Sequence, residues 1–152
     1  MGITTDRKVR LLLVDDNPGD VQLFRWALRR ADLDIDLSVI DDGGEALAMV
    51  READASSTLN TPDLVVLDLN LPKADGREIL TLMRSTRAFA DVPVVILTSS
   101  TSLRDREQME SLNIARYIAK PPDLKEFMNL GSVVKNVLEE TMGSGLTPAD
   151  KN

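Results

Sequence analysis

Val9-Arg10-Leu11-Leu12-Leu13-Val14 runs straight into Asp15-Asp16, and Leu64-Val65-Val66-Leu67 runs straight into Asp68. Both runs are short and almost wholly apolar, the pattern of strands buried on both faces in a parallel sheet under helices. In open sheets of that kind, ligands bind beyond the carboxyl ends of the strands. If the two strands are neighbours, three carboxylates crowd one pocket. Like charges that close raise each other's pKa unless a cation joins them. A metal ion or a basic side chain is therefore implied, and Lys120, at the end of a later apolar run, is a candidate.

The rest of the chain alternates apolar runs with amphipathic stretches, as βα units do. Strands are expected over 10–14, 36–40, 64–67, 93–97 and 115–119. The first helix starts at Asn17-Pro18-Gly19-Asp20, with Asn17 as cap and Pro18 at the first helical position. Later helices are expected over 44–53, 76–87, 102–112 and 123–140, the last opened by Asp123 and Glu126 as a capping box. Asp41 and Asp42 read as caps of the second helix, and Asp75 as a turn residue before Gly76. The core stripe of the last helix is Leu124, Phe127, Met128, Val134 and Leu138. Leu130, Val133 and Val137 widen that stripe, either to be buried under the short tail or to form a homodimer surface, and the homodimer surface is the expectation. Trp26, off the main stripe of the first helix, is expected to be buried by a wide apolar face. The polar stretch 54–62 reads as a surface loop. Five strands alternating with five helices imply an α/β fold, a single doubly wound five-stranded parallel sheet in the order 2-1-3-4-5. That order sets strands one and three side by side. One domain is expected over 9–142, with tails at 1–8 and 143–152.

Composition excludes several classes of function. The 152 residues carry a net charge of −7, which disfavours a general affinity for nucleic acid. There is no Cys and no His, so disulfides, thiol nucleophiles and the usual zinc ligands are absent. A metal bound here should be a hard, oxygen-liganded ion. No apolar run approaches the ~20 residues of a membrane span, and the polar N-terminus does not resemble a signal peptide. A cytoplasmic location is the expectation.

Four segments in order carry a resemblance: Leu12-Leu13-Val14-Asp15-Asp16-Asn17, then Leu67-Asp68-Leu69-Asn70-Leu71-Pro72 with Gly76, then Leu97-Thr98-Ser99, then Lys120-Pro121. Together they resemble the receiver domain of two-component response regulators, a flavodoxin-like (βα)5 fold. The Asn-Pro-Gly-Asp helix start and the Leu-Asn-Leu-Pro segment are similar to the stand-alone regulators of bacterial phytochrome kinases.

The resemblance implies that Asp68 is the phosphoacceptor and that Asp15, Asp16, Asp68 and the backbone carbonyl of Asn70 hold Mg²⁺. A carboxylate can act as a nucleophile toward phosphorus. Three carboxylates give −3, and Mg²⁺ with Lys120 returns +3; a phosphoryl group then adds about −1.5 to −2. Lys120 and the Thr98 hydroxyl are expected to meet that charge. Thr98 and Tyr117 are the implied switch pair, and Asn70 and Ser99 sit where the family tunes the phosphoryl lifetime. The Lys120–Pro121 bond is expected to be cis. Leu23 and Pro122 are candidate contacts for a sensor histidine kinase or a histidine phosphotransfer protein. With no output domain expected after Glu140, signalling should run through protein contact, dimer change or onward phosphotransfer. A haloacid-dehalogenase-type phosphatase is the rival enzyme reading, but it wants a second acid where this chain has Asn70. A phosphate-independent interaction module is the other rival, disfavoured by the complete acid, Thr98 and Lys120 set.

Overall fold

The structure is a computed structural model in which residues 8–55 and 61–142 are described. Its elements in chain order are β1 (Val9–Val14), α1 (Pro18–Arg30), β2 (Ile35–Ile40), α2 (Gly43–Ala55), β3 (Leu64–Leu67) and α3 (Gly76–Ser85). They continue with β4 (Val94–Thr98), α4 (Leu103–Glu110), β5 (Arg116–Ala119), α5 (Leu124–Met128) and α6 (Leu130–Met142). The strands form one sheet in the order β2-β1-β3-β4-β5, and every pair is parallel. This is the expected doubly wound topology.

The pleat divides the apolar residues between two cores, because successive side chains on a strand point to opposite faces. Leu11, Leu13, Leu64, Val66, Val95 and Leu97 pack with Phe24, Leu28, Phe127, Val134 and Leu138, under α1, α5 and α6. Leu12, Val14, Val65, Leu67, Val94 and Ile96 pack with Ala46, Val50, Ile79, Leu80, Met83 and Met109, under α2, α3 and α4. Each fully buried Leu or Phe contributes about 1.5–3 kcal/mol relative to exposure. With both faces covered, the central strands have no solvent side, which is why their sequences do not alternate.

Helix starts follow the caps. Asn17 accepts from the Asp20 N–H at 3.0 Å, with Pro18 opening α1, and Asp42 accepts from the Glu45 N–H at 3.0 Å. Asp75 does more than turn the chain: it caps α3 by accepting from the N–H groups of Arg77 and Glu78. The last helix is interrupted. Asn129 donates back to Glu126, a tighter turn than the helix on either side, and α6 starts one residue later. Beyond the break α6 lies hard against α1: a Cβ on Gly131 would fall 2.2 Å from the Ala27 carbonyl oxygen.

That contact corrects the dimer expectation. Leu130 and Val137 are buried within the subunit, and Val133 packs against the same core. Two further expectations fail for the opposite reason. Trp26 is 47% exposed and Leu124 59% exposed, each lying outside the stripe its helix turns inward. Asp54 and Ala55 continue α2, so the loop expected from 54 begins later; its centre, at 56–60, lies outside the described residues. So do the tails 1–7 and 143–152.

Candidate functional site

Strand register builds the site. Val14 of β1 is the partner of Leu67 in β3, so the next residues, Asp15 and Asp68, leave the sheet side by side. The Asp68 N–H donates to the Val14 carbonyl at 2.9 Å, and the Asp15 N–H to Ile40 at 3.0 Å. Both acids continue the rows of Leu11, Leu13, Leu64 and Val66, hence the face covered by α1. Lys120 follows the same parity from Ile118, and its N–H donates to the Thr98 carbonyl at 2.8 Å. The carboxylates and the ammonium therefore come from three strands onto one face.

Asp15 is 2% exposed and Asp68 4%, whereas Asp16 is exposed at the mouth. One carboxylate oxygen from each of the three lies within 4.8 Å of those of the other two. Asp15 Oδ1 accepts from the Asn17 N–H at 2.9 Å, and Asp68 Oδ1 accepts from the Asn70 N–H at 3.2 Å. Their other oxygens face Lys120: Nζ is 3.0 Å from Asp15 Oδ2 and 2.9 Å from Asp68 Oδ2. Burial pushes the Asp15 carboxyl above its ordinary value, against the Asn17 N–H and Lys120, which pull it down. Burial alone would lower the Lys120 ammonium, but its bonds to Asp20 and Asp68 and the charge of Asp15 and Asp68 outweigh it, leaving it well above an ordinary lysine.

Three oxygen donors and no nitrogen or sulfur suit a hard divalent cation such as Mg²⁺. A cation bound there would offset the cost of keeping the buried Asp15 carboxylate charged.

Thr98 and Tyr117 occupy the opposite face. Thr98 is fully buried, and Tyr117 packs against the core under α4. The Thr98 hydroxyl accepts from the Ser100 N–H at 3.2 Å. Ser100 donates its own hydroxyl to Asp105 at 2.7 Å, and Arg77 of α3 grips the same carboxylate through Nε at 2.9 Å and through its terminal nitrogen. The Tyr117 hydroxyl lies buried near Ser100 without a hydrogen bond of ordinary geometry. Burial raises the phenol pKa, and the Arg106 guanidinium sits 5.5 Å from the ring centroid.

Other sequence candidates sit at the edge. Asn70, Ser99 and Pro122 are exposed, and Leu23 is half-buried against the α1 core. The Lys120–Pro121 bond is trans, not cis. The trans form is the intrinsic preference by about 0.5–1 kcal/mol, and Lys120 reaches the acids without its reversal. Sequence reasoning missed Asp20, whose Oδ2 is 2.8 Å from Lys120 Nζ. The available signal was its place in the first turn of a helix that starts at the acid cluster. It also missed the Arg77–Asp105–Ser100 group, which joins residues 28 and 5 apart in sequence.

Comparison with known proteins agrees with this geometry. Residues 11–130 match the response regulator receiver domain. The chain is 31% identical over 132 residues to response regulator Rcp1 of Synechocystis sp. (strain ATCC 27184 / PCC 6803 / Kazusa), covering 87% of this chain and 90% of that protein. Among solved structures it resembles the phosphorylated cyanobacterial phytochrome response regulator RcpA, with a TM-score of 0.75, 32% identity, and coverage of 90% and 95% of the two chains. The Mn²⁺-bound form of Rcp1 gives a TM-score of 0.73 at 30% identity, covering 86% and 92%. With its parallel 2-1-3-4-5 sheet and the acids at the ends of β1 and β3, the chain belongs to the response regulator receiver domain family.

Proposed function

We propose that this receiver accepts a phosphoryl group on Asp68 from the phosphohistidine of a sensor kinase or phosphotransfer protein. The bond from phosphorus to the donor imidazole breaks as one from phosphorus to an Asp68 carboxylate oxygen forms. The observation that carries the reading is Asp68 itself, buried at a strand end with an ammonium 2.9 Å away and two more carboxylates beside it.

Asp15, Asp16 and Asp68, with the Asn70 carbonyl, would hold Mg²⁺, which when bound supplies charge neutralisation for the phosphoryl oxygens. Lys120 supplies a second positive charge beside Asp68. Asp68 is the nucleophile. Thr98, whose hydroxyl accepts from the Ser100 N–H in this state, would turn it around the end of β4 toward the new oxygens, and Tyr117 would answer on the α4 face. Asn70 and Ser99, exposed at the rim, tune the access of hydrolytic water and hence a slow self-catalysed loss of phosphate. The protein acts as a signalling switch and not as a turnover enzyme.

Leu23, half-buried on α1, and Pro122, exposed two residues after Lys120, are the proposed kinase contacts. The likeness to Rcp1 and to the phytochrome regulator RcpA supports a phytochrome-type kinase as donor. A cytoplasmic location fits that partner; no described helix is long and apolar enough to cross a membrane.

The direct test is intact-protein mass after incubation with acetyl phosphate and Mg²⁺. One phosphoryl mass should appear in wild type and be lost in Asp68→Asn and in chelator. A wild-type protein that gains no mass from acetyl phosphate or from any histidine kinase ends the proposal. Transfer from phytochrome kinases, compared with unrelated kinases under the same conditions, tests the choice of donor.

A further inference from the structure

Lys120 has three N–H donors, and three carboxylates surround it: Asp20 at 2.8 Å, Asp68 at 2.9 Å and Asp15 at 3.0 Å. Asp15 and Asp68 belong with Asp16 to the compact acid cluster. Asp20 stands outside that cluster, on the far side of the ammonium. It enters from the first turn of α1, where the Asn17 cap holds its backbone. Its side chain is 23% exposed, against 2% for Asp15 and 5% for Asp68.

We propose that Asp20 is a positioning residue that acts through Lys120: it holds the ammonium from the solvent side and sets how much positive charge an anion on Asp68 meets. This rests on the phosphoacceptor reading above. Asp15, Asp16, Asp20 and Asp68 carry −4 and Lys120 returns +1, so the pocket stands at −3. Replacing Asp20 by a neutral residue brings it to −2. The extra carboxylate strengthens attraction for a divalent cation and weakens attraction for an anion at the same place.

Hydrogen bonding gives the same result. Lys120 donates to Asp20 and Asp68 and is ion-paired with Asp15, so a phosphoryl oxygen competes with these carboxylates for the ammonium. Asp20 is the cheapest to release, because a carboxylate at the rim regains water while a buried one does not. Asp20 thus keeps Lys120 in reserve and yields it when an anion arrives.

The test measures two affinities that a charge effect moves in opposite directions. Mg²⁺ binding is followed by calorimetry, and binding of beryllofluoride, a phosphoryl mimic, by ¹⁹F NMR at saturating Mg²⁺ for each variant. In Asp20→Asn, Mg²⁺ should bind about threefold or more weaker and beryllofluoride about threefold or more tighter, the scale of a partly exposed charge a few ångströms away. Asp20→Ser should do the same, and serves if Asp20→Asn fails to fold by circular dichroism. Asp20→Glu should restore both values toward wild type. If both affinities fall together in the neutral variants, Asp20 is merely structural and the proposal fails. Unchanged affinities overturn it equally. Wild type that takes up no beryllofluoride refutes the phosphoacceptor reading itself, a result read before any variant is compared.

Discussion

Nζ of Lys120 lies 2.9 Å from Oδ2 of Asp68, although 52 residues separate them in the chain. Parallel pairing of β3 with β4 and of β4 with β5 carries the two strand ends to the same rim, and side-chain parity turns both toward α1. The pair joins an acid that needs compensation to the base that compensates it. Four predictions follow from this and neighbouring contacts.

Removing the lysine should cost stability before any chemistry is tested. Lys120→Met leaves Asp15 and Asp68 buried together without their ammonium. In chelator, urea denaturation should show a loss of roughly 3 kcal/mol, the scale for breaking a buried ion pair by removing one partner. Mg²⁺ should recover part of it, because a cation bound only to the folded state stabilises by mass action. A variant as stable as wild type in chelator contradicts the ion-pair account.

Tyr117 gives the opposite sign. Its hydroxyl is buried without a hydrogen bond. Tyr117→Phe removes that desolvated group and keeps the ring against the core. The unphosphorylated protein should gain about 1 kcal/mol. A clear drop in thermal midpoint would mean that the hydroxyl has a partner in solution.

Arg77 and Asp105 tie α3 to α4. Their bidentate pairing should show a coupling of about 1 kcal/mol in a double-mutant cycle with Arg77→Ala and Asp105→Asn. The Arg77 guanidinium, then the Ser100 hydroxyl, hold the Asp105 carboxyl below its ordinary value. A group lowered on folding stabilises above its unfolded pKa, near ~3.9, and loses that contribution as pH falls through the lower folded value. Asp105→Asn should therefore lose less stability than wild type on acidification below about pH 5. Parallel pH profiles would refute the assignment.

Gly76 touches the site through the backbone. A Cβ there would lie 2.4 Å from the Asp68 carbonyl oxygen and 2.8 Å from Leu69 Cα, neither of which can swing aside. Gly76→Ala should destabilise by about 2 kcal/mol or more and impair phosphoryl uptake. Gly44→Ala is the control, since its Cβ would meet only side-chain atoms of Asp42 and Lys73, at 3.1 Å and beyond. It should change stability by under about 1 kcal/mol. Equal losses in the two would remove the steric argument.

Much of this molecule was legible in its residues. The apolar runs before Asp15 and Asp68 imply buried parallel strands, and the caps at Asn17, Asp42 and Asp123 are local hydrogen bonds between near neighbours. Short-range patterns of that kind survive in one dimension. Errors arose where helix faces compete. Trp26 and Leu124 are as apolar as residues that do become buried, and Leu130 and Val137, expected at a surface, are buried because Gly131 lets α6 close on α1. Which side of a helix turns inward depends on what arrives to cover it.

From the chain alone come a sheet order, a pair of acids at one strand end and a third at another, and a family of proteins that use them. Only the folded arrangement decides that Asp20 from α1 shares Lys120 with those acids, and that Thr98 and Tyr117 stand on the far face beside Ser100, Asp105 and Arg77. The reason is physical. Strand identity is set by neighbours along the backbone, whereas a salt bridge across 100 residues is set by register, parity and helix packing together.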